Sequence, residues 1–326
     1  MEIANNQKYK SILSPIDTER AIEHVRDKFT EQLFKRMWYL TRTSAPIFIE
    51  SGNCVNDDLA NTCTPVFFNI GDKQVEMLHS LAKWKRLKLK TLNLPRYCGI
   101  YTNMNAIRKD EELDKLHSVY VDQWDWEMVI SKSDRNLQCL RDHVIDIYNC
   151  IKRTELSLCS KFSQIKEFLP DLVTFFNLND LKEEYPNKTQ KEIEFLITKE
   201  FGAVFIIGMD NTCGRASDYD DWQLNGDLLI WSNVINEPIE ITSMGIRVDK
   251  TSLETQLSTC NEIYKKEFDY HRMILNDELP LTIGGGIGQS RLCMLLLQKA
   301  HIGEVQCSVW DDKTIQYTKE NNIILL

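Results

Sequence analysis

The chain has 326 residues, of which 43% are hydrophobic and 27% are charged, a composition typical of a globular protein. Its formal net charge of -9 disfavours nonspecific binding to nucleic acid or to an anionic membrane. The sequence contains no apolar run long enough to span a membrane, and MEIANNQKYKSIL lacks the apolar core of a signal peptide. We therefore expect a cytoplasmic protein that binds neither nucleic acid nor membrane.

Apolar spacing and capping signals predict several helices in chain order. SPIDTERAIEHVRDKFTEQLFKRMWYL begins a long amphipathic helix, with Ser14 as its N-cap and Pro15 at the first helical position. Further helices are predicted at 79–90, at 134–162 and at about 251–277. Another helix is predicted directly after a run of glycines near the C-terminal end.

Short apolar or alternating segments predict the strands, which cluster in the middle and at the end of the chain. They lie at 45–50, 117–130, 201–209, 226–235, 238–248 and near 304–310. Strands and helices do not alternate regularly enough for a doubly wound parallel sheet. We therefore predict an α+β fold with a largely antiparallel sheet flanked by helices. The length alone favours two domains, but no linker is visible, so we expect one domain over 1–326.

The ten cysteines form no C-x-x-C pair, and the six histidines are scattered along the chain. This pattern argues against a zinc site. Many unpaired, widely separated thiols in a long chain are typical of a reducing compartment, which agrees with a cytoplasmic location.

The glycine run LTIGGGIGQSRLCMLLL, residues 281–297, has the pattern Gly-x-Gly-x-Gly-x-x-Arg. It differs from a P-loop, which ends in Gly-Lys-Ser/Thr, and from the dinucleotide fingerprint, which needs a glycine where Arg291 stands. One interpretation is a phosphate- or purine-binding loop that opens a helix, with a planar guanidinium facing the ligand. The other is a strand-to-helix turn that needs glycine for close packing.

Acidic and amide side chains occur within the predicted strands. In VYVDQWDWE the period of two places Gln123, Asp125 and Glu127 on one face and the tryptophans on the other. This face is either solvated or the wall of a ligand cleft. Asp227 and Glu240 lie on two later strands, and two carboxylates plus substrate phosphates suit Mg²⁺.

Six motifs occur in a fixed order: HSLAKWKR, LHSVYVDQWDWE, DYDDW, LNGD, SMGIRVD and TIGGGIGQSRL. With Arg108 in YTNMNAIRKDEE, they make the chain resemble the catalytic domain of class II aminoacyl-tRNA synthetases. Within that group it resembles the ammonia-dependent asparagine synthetases of type A, from about residue 10 to about residue 310. The glycine motif is shared by the wider superfamily, whereas VDQWDWE and HSLAKWKR are far more specific.

The resemblance implies that aspartate, ATP and ammonia give asparagine, AMP and pyrophosphate through a β-aspartyl-adenylate. It implies that Arg108 holds the α-phosphate and that Arg291 holds the far end of the nucleotide. Lys85 and Gln123 are then expected near the reacting carboxylate, and Asp227 and Glu240 at Mg²⁺ or ATP. The motif also assigns Gly286 and Gly288 to ATP binding. The candidates for binding aspartate are Asp57, Ser80, Asp125, Asp220, Ser243 and Arg247.

Among these candidates, Asp125 with either Asp57 or Asp220 is expected near the α-ammonium group, and Arg247 near the α-carboxylate. Two departures from the family pattern stand out. The segment MDNTCGRAS, which includes Arg215, is shorter than expected, and Lys109 stands where a proline is expected. A homodimer is expected by analogy with the class II fold. The alternatives are a non-catalytic synthetase paralogue that binds an amino acid or tRNA, and a true aminoacyl-tRNA synthetase.

Overall fold

The computed structural model describes residues 9–53, 55–57, 59, 62–209, 213 and 216–326. Within that part of the chain it contains the following α-helices: α1 (Pro15–Arg36), α2 (Ala82–Leu92), α3 (Leu137–Lys161), α4 (Leu178–Glu184), α5 (Gln190–Phe201), α6 (Lys250–Thr259), α7 (Asp269–Leu275), α8 (Gln289–Leu296) and α9 (Asp312–Glu320). Short 3-10 turns lie at Lys132–Asp134, Ile263–Glu267 and Ile302–Glu304.

The strands are β1 (Leu40–Arg42), β2 (Phe48–Glu50), β3 (Phe67–Ile70), β4 (Lys73–Met77), β5 (Gly99–Ile107), β6 (Tyr120–Val129), β7 (Thr174–Asn177), β8 (Ala203–Ile207), β9 (Asp220–Ser232), β10 (Glu237–Arg247) and β11 (Thr282–Gly288). Eight of them form one sheet in the order β1-β5-β6-β11-β10-β9-β8-β7. Only its two edge pairs, β1 with β5 and β7 with β8, are parallel. The predicted α+β fold with a largely antiparallel sheet is therefore confirmed.

Helix α1 begins as the sequence predicts. The Ser14 side chain accepts a hydrogen bond from the backbone N–H of Asp17, and Pro15 occupies the first turn, where its missing N–H costs nothing. One face of α1 carries Val25, Phe29 and other apolar residues that are fully buried against α3 and the sheet. The helix ends at Arg36, and the last residues of the predicted segment form a turn at 37–39 followed by Leu40, the first residue of β1.

The alternation of strand β6 decides where the core ends and the cleft begins. Trp124 and Trp126 are buried in the main apolar cluster beneath the sheet. Asp125 and Glu127 project from the opposite face and are buried among polar groups. The predicted division of this strand into an apolar and a polar face is confirmed, and the polar face is not solvated.

Three predictions from the sequence are wrong. Of the two interpretations of the glycine run, the loop is wrong, because residues Thr282–Gly288 form the central strand β11 between β6 and β10. The alternative fits better, because β11 passes directly into α8 and its glycines are closely packed. The single helix at 251–277 is interrupted after α6, where Asn261 has a left-handed φ of 57°. The strand near 304–310 is absent from the described residues, since Ile302 and Val305 enter the core from a 3-10 turn.

The cysteines also depart from expectation. Cys213 and Cys260 form a disulfide that joins residues 47 positions apart. The sequence contained no signal for this pair, because its spacing matches no known motif. No helix in the described part of the chain is both long and apolar enough to cross a membrane.

Candidate active site

The polar face of the sheet forms the floor of a cleft, and its residues are placed by strand register. Asp125 of β6 lies opposite Gly286 of β11, and Gly286 lies opposite Ser243 of β10. Ser243 in turn lies opposite Asp227 of β9. Directly paired residues of antiparallel strands project to the same side. Four of the residues predicted from separate motifs therefore form one row across the floor.

The glycines of β11 leave room for side chains from the neighbouring strands. A Cβ on Gly286 would lie 2.5 Å from Gln123 Oε1 and 3.3 Å from Asp125 Oδ2. A Cβ on Gly284 would lie 2.7 Å from Glu127 Oε2 and 3.0 Å from Arg247 Nη2. Polar groups of β6 and β10 thus lie directly over the bare strand, and any larger residue there would displace them.

Lys85 of α2 reaches this floor from above. Its ammonium group pairs with Asp125 Oδ1 and donates to the Gly285 carbonyl at 3.1 Å. Both side chains are almost completely buried. The second carboxylate oxygen of Asp125 is buried and has no hydrogen-bond partner within the described residues. This oxygen is an acceptor left available to a cationic ligand.

Arg247 lies beside that pair and is held by two carboxylates. Its Nε and Nη2 donate to Glu127 Oε2 at 3.1 and 3.0 Å, and its Nη1 pairs with Asp220 Oδ1. The guanidinium also lies over the ring of Tyr219, 5.7 Å from the ring centre. All three charged groups are buried, so two anions share one cation. Burial and the nearby Glu127 charge raise the pKa of Asp220 although Arg247 opposes the change.

The remaining aspartate-site candidates lie along the wall above the floor. Asp57 is buried and accepts a hydrogen bond from the Tyr219 hydroxyl at 2.9 Å. Ser80 accepts from the backbone N–H of Ala82 at 3.1 Å, which places its hydroxyl at the start of α2. Tyr219 thus connects Asp57 to the Arg247 network. Ser80 follows His79, whose Nδ1 lies 3.0 Å from the Asp57 carbonyl oxygen, so the Ser80 segment adjoins that of Asp57.

A second part of the cleft is a solvent-open cavity, whose empty space of about 600 Å³ includes the open mouth. It is lined by residues that the sequence assigned to ATP, with others of β6, β10 and α8. The residues assigned to ATP that line it are Arg108, Glu240, Gly286, Gly288 and Arg291, whereas Asp227 is not among the lining residues. Gln123, which was predicted near the reacting carboxylate, also lines the cavity. The cavity therefore adjoins the floor at Gln123 and Gly286, which border both parts.

Arg291 is fixed on one side of this cavity by two neighbours. Its Nη1 donates to the Glu240 carbonyl at 3.1 Å and lies 3.4 Å from Glu240 Oε2. Its Nη2 lies 2.9 Å from His117 Nε2, and His117 Nδ1 lies 2.9 Å from Asp114 Oδ1. Because arginine can only donate, His117 Nε2 accepts and its proton resides on Nδ1. Burial opposes ionisation of Asp114, but its hydrogen bonds, led by that from His117, lower its pKa to about 2.

Arg108, just after β5, also lines this cavity. Its Nη2 donates to the His79 carbonyl at 3.2 Å, which ties it to the segment leading into α2. The two arginines therefore reach the cavity from different elements, Arg108 from the end of β5 and Arg291 from α8. Such an arrangement can neutralise two separated phosphates of one ligand.

Asp227 and Glu240 were predicted as metal ligands. They project from the neighbouring strands β9 and β10 on the same face of the sheet. Asp227 pairs with Ser243, and Glu240 pairs with Leu229, two residues after Asp227 on β9, across an irregularity in the register. The described residues contain no cluster of three or more side chains able to hold a metal ion. Two carboxylates on one face fit Mg²⁺ only where substrate phosphates supply further oxygens.

Sequence reasoning missed several residues that complete the site. His117 orients Arg291, Glu127 holds Arg247, and Tyr219 joins Asp57 to the wall. All three stand inside the quoted motifs, so the signal was present but not assigned to a contact. Arg215 lies outside the described residues, and so does most of the short segment that contains it.

Comparisons with known proteins show the family to which the chain belongs. The sequence model of the aspartate–ammonia ligase family matches residues 16–322. An aspartate–ammonia ligase of Clostridium perfringens strain SM101 is 49% identical over 98% of this chain and 97% of its own length. The corresponding ligase of Pediococcus pentosaceus is 46% identical, and the alignment covers both chains completely.

Solved structures show the same fold at low sequence identity. Asparaginyl-tRNA synthetase from Pyrococcus horikoshii, complexed with asparaginyl-adenylate, has a TM-score of 0.69 at 14% identity, covering 90% of this chain and 68% of that one. The Entamoeba histolytica enzyme with the same ligand has a TM-score of 0.68 at 12% identity, covering 90% and 69%. The fold is that of class II synthetases, and the chain belongs to the aspartate–ammonia ligase family.

Proposed function

We propose that the floor of the cleft binds aspartate, that the adjoining cavity binds ATP, and that the chain amidates aspartate where the two meet. A β-carboxylate oxygen attacks the α-phosphorus and pyrophosphate leaves. Ammonia then attacks the β-carbonyl carbon, AMP leaves, and the nitrogen loses a proton. The observation that carries this proposal is the continuity between the two compartments at Gln123 and Gly286.

ATP is placed by charge. Arg108 neutralises the α-phosphate and Arg291 the far end of the nucleotide, since both line one cavity, Arg108 from the end of β5 and Arg291 from α8. Gly286 and Gly288 line the cavity and allow the ligand to approach the backbone. The protein supplies position and charge here rather than a covalent intermediate of its own.

Aspartate is placed by the polar wall and floor. The unpaired Asp125 oxygen accepts from the α-ammonium, with Asp57 or Asp220 nearby. Arg247 faces the α-carboxylate, while Ser80 and Ser243 lie at the margins. Lys85 and Gln123 are next to Asp125 and Gly286, where the β-carboxylate meets the α-phosphate. This orientation leaves the β-carboxylate free for activation.

The assembly and location are inferred more indirectly. We infer one catalytic domain over 1–326, located in the cytoplasm and assembled as a homodimer. The dimer is supported by exposed apolar residues beside the first helix and strand, above all Trp38, which is 79% exposed. Apolar surface of this kind is typical of an interface. Sedimentation or light scattering distinguishes the dimer from a monomer.

An assay of the products tests the proposed reaction. With aspartate, ATP and ammonium, the purified protein is expected to form asparagine, AMP and pyrophosphate in equal amounts. Glutamine offered as the only nitrogen source, with protein freed of ammonia, is expected to give no asparagine. Omission of aspartate is the control for background ATP hydrolysis. Coupled formation of ADP and phosphate contradicts attack at the α-phosphorus.

We propose that Asp227 and Glu240 contribute oxygen ligands to an Mg²⁺ ion that neutralises the phosphates of ATP. Asp227→Asn and Glu240→Gln are each expected to raise the Mg²⁺ concentration needed for half-maximal activity, because each removes an anionic ligand. Glu194→Gln is the matched control, since this carboxyl lies near Glu240 but is not assigned to the ion. An unchanged Mg²⁺ titration in both site variants refutes the assignment.

A further inference from the structure

Asn225, in the LNGD segment of β9, is a polar residue without a role in the site described above. Its relative exposure is 1%. Neither its Oδ1 nor its Nδ2 has a hydrogen-bond partner within the part of the chain that the structure describes. A buried amide that pairs neither its donor nor its acceptor costs free energy, so its presence needs an explanation.

The strand register shows which way this side chain projects. Asn225 lies opposite Gly245, Gly245 lies opposite Gly284, and Gly284 lies opposite Glu127. A Cβ on Gly245 would lie only 2.7 Å from the Asn225 Cβ, so the two positions share one face. The next residue, Gly226, faces Phe205 of the core. Asn225 therefore projects to the polar side of the sheet.

This row lies beside the row formed by Asp125, Gly286, Ser243 and Asp227. Two glycines separate Glu127 from Asn225, so the floor between them carries no side chain of its own. Arg247 Nη2 lies over that floor, 3.0 Å from where a Gly284 Cβ would be. The Asn225 amide thus borders the space that the proposed function gives to aspartate. It does not line the nucleotide cavity.

The chemistry of the amide selects the ligand. An asparagine side chain offers one acceptor oxygen and an NH₂ donor close together. An ammonium ion would satisfy the oxygen only, and a phosphate would satisfy the nitrogen only. The α-carbon of aspartate carries a cationic donor and an anionic acceptor side by side, and satisfies both.

We propose that Asn225 is a further substrate-binding residue, whose Oδ1 accepts from the α-ammonium of aspartate and whose Nδ2 donates to the α-carboxylate. This inference rests on the proposed aspartate site. It accounts for an amide that has no partner within the described residues, since aspartate supplies both an acceptor and a donor. It also gives the α-carbon substituents a neutral contact beside the charged Arg247 network.

The variant Asn225→Leu tests this role because leucine has nearly the same shape and no polar atoms. The KM and the Kd for aspartate are expected to rise about 10- to 100-fold, as for lost hydrogen bonds to charged groups. The KM for ATP is expected to stay constant. The Tm without ligand is expected not to fall, because the change removes an unpaired buried amide. A lower Tm together with an unchanged aspartate KM overturns the proposal in favour of a structural role.

Thr198→Val is the matched control. Thr198 is also fully buried, and its hydroxyl also lacks a partner among the described residues, but it lies in α5 outside the proposed site. It is expected to leave the aspartate KM unchanged. If Asn225→Leu does not fold, Asn225→Ala and a crystal structure of the wild-type protein with aspartate replace it. If that crystal structure shows no polar atom of aspartate within 3.5 Å of the Asn225 amide, the proposal is overturned. If the wild-type protein forms asparagine, the proposed function stands even where the tests of Asn225 fail, so the two failures can be distinguished.

Discussion

Arg291→Ala is expected to lower kcat/KM for ATP by on the order of 10²–10³, the usual loss for one charged donor that stabilises a transition state. The structure supports a specific role, because Arg291 enters the nucleotide cavity and is oriented by His117 and Glu240. Its side chain lines the cavity and is not part of the apolar core. The fold is expected to survive, as measured by Tm, while steady-state kinetics report the loss.

One further variant separates charge from geometry at this position, and another, elsewhere in the chain, is the control. Arg291→Lys keeps the charge but loses the planar fork, and is expected to recover only part of the activity. Arg272→Ala is the control, since Arg272 is 56% exposed and pairs only locally with Asp269. It is expected to behave as the wild type. Near-normal activity of Arg291→Ala would show that the arginine has no part in ATP binding.

The sequence predicts features that depend on local periodicity. Alternation along β6 places the tryptophans in the core and Asp125 and Glu127 in the cleft. Ser14 and Pro15 define the start of α1 because capping involves only neighbouring residues. These predictions succeed since the physical cause lies within a few residues of the signal.

Features that depend on distant partners are not visible in the same way. A run of glycines is typical of a loop, yet Gly284, Gly285 and Gly286 form a central strand. The reason lies on β6 and β10, whose side chains and backbone lie where glycine side chains would be. The Cys213–Cys260 disulfide is another example, since it joins two segments whose spacing matches no motif.

The motifs identified Asp220 and Arg247 as separate substrate contacts, and the structure shows that they also contact each other. Arg247 joins Glu127, 120 residues away in sequence, to Asp220, 27 residues away. Such a network cannot be read from spacing, because its members come from three strands. It gives Arg247 a structural role in addition to the proposed binding role.

Arg247→Leu is expected to destabilise the fold by about 3–5 kcal/mol, the usual cost of removing one partner from a buried ion pair. Arg247, Glu127 and Asp220 are 2%, 0% and 3% exposed, so both carboxylates would remain buried without a cation. The activity with aspartate is expected to fall together with the stability of the fold. Arg36→Leu is the control, because the pair of Arg36 with Asp146 lies at the surface and contributes at most about 1 kcal/mol.

The pH dependence of that loss distinguishes unpaired charge from lost packing. Burial already raises the pKa of Asp220 in the folded protein, and removal of Arg247 is expected to raise it further. A carboxyl with a raised folded pKa binds more protons folded than unfolded, so stability falls as pH rises from the unfolded to the folded pKa. The decrease in Tm caused by Arg247→Leu is therefore expected to be larger at about pH 8 than at about pH 5. At about pH 5 the pH is still close to the pKa of the carboxyl groups in the unfolded chain. Equal deficits at both pH values, measured by calorimetry, would indicate that lost packing around the leucine, and not the charge of Glu127 and Asp220, causes the instability.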